Sequence, residues 1–141
     1  MIKYFLPKRL LKTYPDQEVD TTKDLSVQSY IVNTVNEQTK ELTGLITQSG
    51  TDAPTLVVLK NTTGVTPTTA YMAVGSYSVI CTGVFTANKT AVFVENPNTL
   101  GATAFGVRDS ANSVLLNSTN ASNAAANGLF TATPFRIVVY K

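Results

Sequence analysis

The chain has 141 residues, a net charge of +2, one cysteine and no histidine. Without histidine it lacks the commonest general base and metal ligand, and a single cysteine cannot form an intrachain disulfide. The small, scattered positive charge argues against nucleic-acid binding. The composition therefore predicts a protein that is not an enzyme and needs no metal or cofactor.

No run of 18 apolar residues occurs in the sequence, so we expect no membrane-spanning segment. The apolar start of the chain is interrupted by Lys3 and Pro7 and has no small-residue cleavage site, unlike a secretory signal peptide. We therefore expect a soluble chain that is made in the cytoplasm.

Residues 1–15 combine apolar and basic residues and contain no acidic residue. Pro7 and Pro15 argue against one long helix. The apolar side chains could pack back on the rest of this chain, or they could form an anchor that becomes ordered on a partner protein. We favour the anchor, whose predicted attachment residues are Ile2, Tyr4, Phe5, Leu6, Leu10 and Leu11.

A helical stem is predicted after a polar linker. Thr21 followed by Asp24 resembles a capping box and places a helix start near residue 22. From Leu25 to Ile46 the sequence has heptad spacing, with seven positions at alternating steps of three and four. Five of the seven are apolar, and the other two, Gln28 and Thr39, are polar and uncharged. A helix lying on its own domain would show the same spacing, but the polar outer side favours a self-associating coiled coil, and valine and isoleucine near the seam favour more than two strands. The predicted oligomer interface comprises Leu25, Val32, Val35, Leu42 and Ile46.

The chain changes character near Gly50. Residues 1–49 carry 12 of the 20 charges, whereas residues 50–141 carry eight and consist of short apolar runs separated by Gly, Asn and Pro. Seven runs at intervals of roughly ten residues are typical of an antiparallel sandwich. The predicted strands are Thr55–Lys60, Thr69–Val74, Ser76–Thr82, Thr90–Glu95, Ala102–Arg108, Ser113–Asn117 and Phe135–Tyr140.

The predicted fold is mainly β: a small antiparallel β-sandwich head, jelly-roll-like, preceded by a short helical coiled-coil stem and an extended N-terminal anchor. The predicted domains are the anchor and linker at 1–21, the oligomerisation stem at 22–46 and the head at 47–141.

Few residues of the head suggest a binding site. Tyr71, Tyr77 and Tyr140 could form an aromatic platform for a sugar, although a buried tyrosine with its hydroxyl at the rim is commoner. Residues 117–128 have little to bury and are predicted to form an exposed loop, where binding specificity often lies. Cys81 lies in an alternating apolar pattern and is predicted to be a small buried hydrophobe.

The sequence of the head gives little support for an enzymatic activity. A glycosidase would need two facing carboxylates, and Glu95 with Asp109 is the one plausible pair. No sequence pattern places the two together.

Residues 45–55 read LITQSGTDAPT and are followed by VLKNT at 58–62, GSY at 75–77, GVFTANKT at 83–90 and IVVY at 137–140. This series resembles a C-terminal module of structural proteins from tailed bacteriophages, especially phages of Bacteroidetes hosts, over residues 44–141. The resemblance implies a small β-domain that forms the oligomeric head of a fibre or another virion appendage, without catalytic residues. It implies that residues 48–54 are a turn leading into the first strand. A short chain with such a head is most similar to a capsid head fibre of a crAss-like phage.

We therefore expect a non-enzymatic virion structural protein, made in the bacterial host cytoplasm. It would be a homotrimeric head fibre or capsid decoration protein, attached through its N-terminal segment to the major capsid protein or another virion protein. The alternative is a glycan-binding adhesin or a tail-associated receptor-binding module, with a host-surface glycan bound at residues 117–128 and the tyrosines. Neither nucleic acid nor a membrane is an expected partner.

Overall fold

The structure, a computed structural model, describes residues 38–141, which contain eight β-strands and no helix. The mainly-β prediction is thereby confirmed for this part of the chain. The strands are β1 Thr39–Thr47, β2 Thr55–Asn61, β3 Thr68–Ala73, β4 Ser76–Ile80, β5 Thr90–Val94, β6 Thr103–Arg108, β7 Ser113–Thr119 and β8 Thr133–Tyr140.

The strands form two four-stranded antiparallel sheets. Sheet A has the order β2-β1-β8-β5 and sheet B has the order β3-β4-β7-β6. The edge strands β5 and β6 contact each other across the two sheets, so the sandwich is closed on that side. Strands β2 and β3 are the remaining edges.

The core lies between the sheets and follows from the alternation of side chains along each strand. In β1, buried residues at 42, 44 and 46 alternate with partly exposed residues at 41, 43 and 45. The fully buried large side chains come from both sheets and from the loops, and they are Tyr77, Phe85, Phe130, Leu42, Ile46, Leu116, Ile137, Val79 and Val114.

All seven predicted strands are present, with ends that differ from the prediction by at most two residues. The jelly-roll-like part of the prediction is not met. Strands β1 and β2, β3 and β4, and β6 and β7 are each neighbours in one sheet. In a jelly roll, two Greek keys send consecutive strands to alternate sheets.

The predicted helical stem is wrong over residues 39–46, because these residues form strand β1. Leu42 and Ile46 are four residues apart, a spacing that places them on one face of a helix and also on one face of a strand. Both side chains are fully buried in the core, so they are not free to form the predicted oligomer seam. The compact β-unit begins at Gln38 and not at residue 47.

The remaining N-terminal predictions lie outside the described residues. They are the anchor and linker at 1–21, the stem from residue 22 to residue 37, its seam residues Leu25, Val32 and Val35, and the attachment residues Ile2, Tyr4, Phe5, Leu6, Leu10 and Leu11. Within the part of the chain that the structure describes, there is no helix long and apolar enough to cross a membrane.

Candidate functional site

A buried polar cluster lies at the turn between β1 and β2. The Gln48 side chain is 4% exposed. Its Oε1 accepts hydrogen bonds from the Tyr77 hydroxyl at 2.9 Å and from the backbone N–H of Gly128 at 2.6 Å, and its Nε2 donates to the carbonyl of Gly50 at 2.7 Å. The Tyr77 hydroxyl also lies 3.0 Å from Oδ1 of Asn127. The side chain of Gln48 therefore connects the turn, through hydrogen bonds, to sheet B and to the segment before β8.

The backbone around Gln48 confirms the predicted turn. Residues 48–54 connect β1 to β2, so the strand that they lead into is the second strand and not the expected first strand. The N–H of Gln48 donates to the carbonyl of Phe130 at 2.9 Å, and that of Asp52 donates to the carbonyl of Ser49 at 3.2 Å. Gly50 has a φ of 59°, which favours glycine. These contacts of residues 48–54 stabilise the turn.

The three tyrosines do not form one platform, which is the less favoured of the two interpretations of the sequence. Tyr77 is fully buried, and its ring packs 5.6 Å from the ring of Phe130 and 6.1 Å from that of Tyr71. Burial raises the pKa of Tyr77. Tyr140 lies in sheet A, at the end of β8, and is half exposed. Tyr71 and Tyr77 pack against each other in sheet B, whereas Tyr140 lies in sheet A. The three rings therefore do not share a flat surface.

Residues 117–128 form an exposed loop only in part. The first three belong to β7, and Ser118 is fully buried. The Asn120 Oδ1 accepts hydrogen bonds from the N–H groups of Ser122 and Ala124, an Asx-type turn. Residues 121–125 are exposed, whereas Asn127 reaches back to Tyr77. The exposed part is a short turn.

Cys81 is fully buried, as predicted, and burial raises the pKa of its thiol. Glu95 follows β5 in sheet A, and Asp109 follows β6 in sheet B, where its carboxylate accepts a hydrogen bond from Ser113 at 2.7 Å. Among residues 38–141, no three His, Cys, Asp or Glu side chains are grouped so that they could hold a metal ion.

An ion-pair cluster joins three strands of sheet A. The Glu41 side chain is 13% exposed and lies 2.5 Å from Nζ of Lys60 and 2.6 Å from Nε of Arg136. The hydroxyl of Thr43 also donates to it at 3.1 Å. Lys60 is the main cause that lowers the pKa of Glu41, with Arg136 and Thr43 adding to it, although burial opposes them.

The lowered pKa of Glu41 predicts a pH-dependent contribution to stability. The ionised carboxylate stabilises the fold above the usual value of 4.5, and this stabilisation is lost as the pH falls through the lower pKa of the folded state. Glu41→Gln should reduce the free energy of unfolding by about 1 kcal/mol at neutral pH. It should also flatten the loss of melting temperature below pH 4.5, measured by circular dichroism.

Glu95→Gln is the matched control, because Glu95 is exposed and outside this ion-pair cluster. It should leave the acid side of the stability curve unchanged. If Glu41→Gln and Glu95→Gln give the same curve as the wild type, Glu41 is not the group that titrates.

Strand β2 exposes apolar side chains on both of its faces. Val57 is 59% exposed, Val58 42% and Leu59 64%. Val58 pairs with the inward-facing Gly44 and Val57 with the outward-facing Leu45, while Leu59 lies at a register shift. We call Val57, Val58 and Leu59 the β2 ridge. Apolar strands are usually buried on their apolar faces, so the ridge is an unusual surface.

A second apolar surface lies where β5 and β6 meet. It is an open groove of about 590 Å³, lined mainly by Val92, Phe93 and Val94 of β5, Ala104, Phe105 and Gly106 of β6, and Arg136 of β8. A Cβ atom on Gly106 would lie 2.2 Å from Cγ1 of Val92, so the close approach of the strands depends on glycine there. Phe93 and Phe105 are each 54% exposed. We call this surface the β5–β6 groove.

No family model, curated protein or solved structure matches this chain. Sequence reasoning missed both the β2 ridge and the β5–β6 groove. The run Leu56–Leu59 was a visible signal for the ridge, but only the strand order shows that this run lies at an edge.

Proposed function

We propose that the chain is a non-enzymatic structural protein of a bacteriophage virion. It forms a homotrimeric head fibre or capsid decoration protein, in which the N-terminal segment attaches the chain to the particle and the β-sandwich is displayed. The sequence resemblance over residues 44–141 supports the phage setting.

The observation that carries the self-association is the exposed apolar surface of the β2 ridge and the β5–β6 groove. Monomeric proteins protect their edge strands with charge, proline or coverage, and each Å² of apolar surface removed from water stabilises by about 25 cal/mol. The ridge holds three consecutive large apolar residues, and the one charge of β2, Lys60, is paired with Glu41. Such a strand suits a subunit of an assembly.

The N-terminal half of the proposal rests on the sequence. After the loss of Leu42 and Ile46 to the core, the heptad positions Leu25, Val32 and Val35 are the residues left for a stem. Residues 1–15 carry four cations and no acid, which suits an acidic groove on a capsid or other virion protein. Joining several heads and anchors strengthens weak contacts through avidity.

The full chain should have about three times the 15.1 kDa chain mass by light scattering at micromolar concentration. A chain without residues 1–15 should keep this mass and its melting temperature but should no longer join particles. Leu100→Ser is a matched control, because Leu100 is 98% exposed and its substitution should not affect loading.

Two results would count against the proposal. A monomeric wild type contradicts the self-association. Loading of the shortened chain at the wild-type copy number contradicts attachment through residues 1–15, and the head would then be the surface that faces the virion.

A glycan-binding adhesin is the second candidate, and the outer face of sheet B favours it. The exposed Phe105 pairs with Asn117, and Ser76 follows on the next strand. An aromatic ring beside uncharged hydrogen-bonding groups suits a sugar. Binding of the purified protein to a glycan array, lost in Phe105→Ala, would favour this candidate over a purely structural role.

A further inference from the structure

We propose that neighbouring heads bind each other head-to-tail, with the β2 ridge of one copy in the β5–β6 groove of the next. The inference rests on the proposed oligomer and specifies its contact surface. It assigns Val57, Val58 and Leu59 to one side of the contact and Phe93 and Phe105 to the other.

The two surfaces match in chemistry. Residues 55–59 of β2 contain no ionisable side chain, and the groove walls are mainly apolar. The charged side chains that line the groove are Glu95, which is exposed, and Arg136, which is paired with Glu41 of the same copy. Docking of the ridge therefore leaves Arg136 paired, and Glu95 stays in contact with water at the rim of the contact, because an unpaired charge is costly to bury.

The two surfaces are also compatible in form. The ridge is a single edge strand whose side chains project to both sides. The groove is a hollow of about 590 Å³ between two sheet edges, within the range of ordinary binding pockets. It has room for several aliphatic side chains.

The positions of the surfaces favour a second copy as the occupant. The ridge lies at one edge of sheet A, and β5 forms the opposite edge of the same sheet, so a head cannot place its own ridge in its own groove. A single type of contact between copies of this chain covers both surfaces, which a partner bound at one surface does not. Copies of this chain cover both at once, and such a heterologous contact closes into a ring when the rotation between copies allows it.

The test uses the full chain and a short bismaleimide cross-linker. Leu59→Cys labels the ridge and Phe93→Cys labels the groove, both at exposed positions, whereas the native Cys81 is buried and unreactive. The two single variants, one carrying a mass tag, are refolded together. Cross-linked pairs of unlike chains should form, at least about ten-fold more than with Leu100→Cys in place of Phe93→Cys, because contact within an assembly raises the effective concentration.

Each outcome decides the inference. Cross-linking of Leu59→Cys with itself would show ridge-to-ridge contact and overturn it, as would equal yields from Leu100→Cys and Phe93→Cys. If the wild type has three times the chain mass but the cysteine variants form no ridge–groove cross-links, this inference is overturned and the proposed oligomer stands. A monomeric wild type contradicts both. Val57→Cys provides a second ridge position if Leu59→Cys does not melt like the wild type.

Discussion

A chain of residues 38–141 should fold with a cooperative melt, and a chain of residues 48–141 should not. Strand β1 lies in the middle of sheet A and pairs with β2 on one side and β8 on the other. Its removal leaves β2 with no neighbour in the sheet and exposes one side of β8. It also removes Leu42 and Ile46, which are fully buried.

The size of the effect follows from core packing. Truncating one buried leucine or isoleucine to alanine costs about 2–5 kcal/mol, and a domain of this size is stable by about 5–15 kcal/mol. Loss of two such side chains costs about 4–10 kcal/mol, which is comparable to that margin. Loss of the hydrogen bonds of a central strand adds to this cost. Circular dichroism and thermal melting of both chains measure it, and a cooperative melt of the 48–141 chain would show that β1 is dispensable.

A point substitution separates the two roles that have been considered for Leu42. On a helical seam, Leu42→Glu would separate the subunits and leave each head folded. In β1, the same change places a charge in the core and should unfold the head. Leu45→Glu is the matched control, because Leu45 lies on the outer face of the same strand and is partly exposed.

The strands that were predicted correctly have clear local signals. Strand β4, for example, alternates Tyr77 and Val79 with serines and follows Gly75, which has a φ of 67° that favours glycine. Strand β1 has no such signal. Leu42 and Ile46, which face the core, are spaced as on one face of a helix and also as on one face of a strand. Gly44 lies between them and has no apolar side chain, so the alternation of apolar and polar residues that is typical of a strand is not visible.

The candidate surfaces could not be predicted because they depend on tertiary position. The residues Val57, Val58 and Leu59 form a visible apolar run, but a run of this kind is equally compatible with a strand in the middle of a sheet. Only the strand order makes β2 an edge. The groove needs β5 and β6 from different sheets to meet, and nothing in the local sequence of either strand indicates its partner.

The Gln48 cluster was recognised in sequence only as a turn, because its partners are far along the chain. Tyr77 is 29 residues away and Gly128 is 80 residues away. Because these hydrogen-bond partners are far apart in the sequence, no local sequence pattern indicates that the Gln48 side chain stabilises the fold.

Gln48→Leu should therefore lower the free energy of unfolding by about 2–4 kcal/mol. Leucine has a similar size, so the change removes hydrogen bonds with little change in volume. It removes the three hydrogen bonds of the Gln48 side chain, to Tyr77, Gly128 and Gly50, and a hydrogen bond contributes about 0.5–1.5 kcal/mol to stability. The Tyr77 hydroxyl keeps Asn127 within 3.0 Å, so its share of the loss is smaller.

Chemical denaturation of two comparison variants gives this prediction its control. Gln38→Leu makes the same chemical change at an exposed position and should alter stability by less than about 0.5 kcal/mol. Tyr77→Phe should cost about 1 kcal/mol, because Gln48 Oε1 keeps the N–H of Gly128 as its donor. If Gln48→Leu and Gln38→Leu are equally stable, the hydrogen bonds of Gln48 contribute nothing net to the fold.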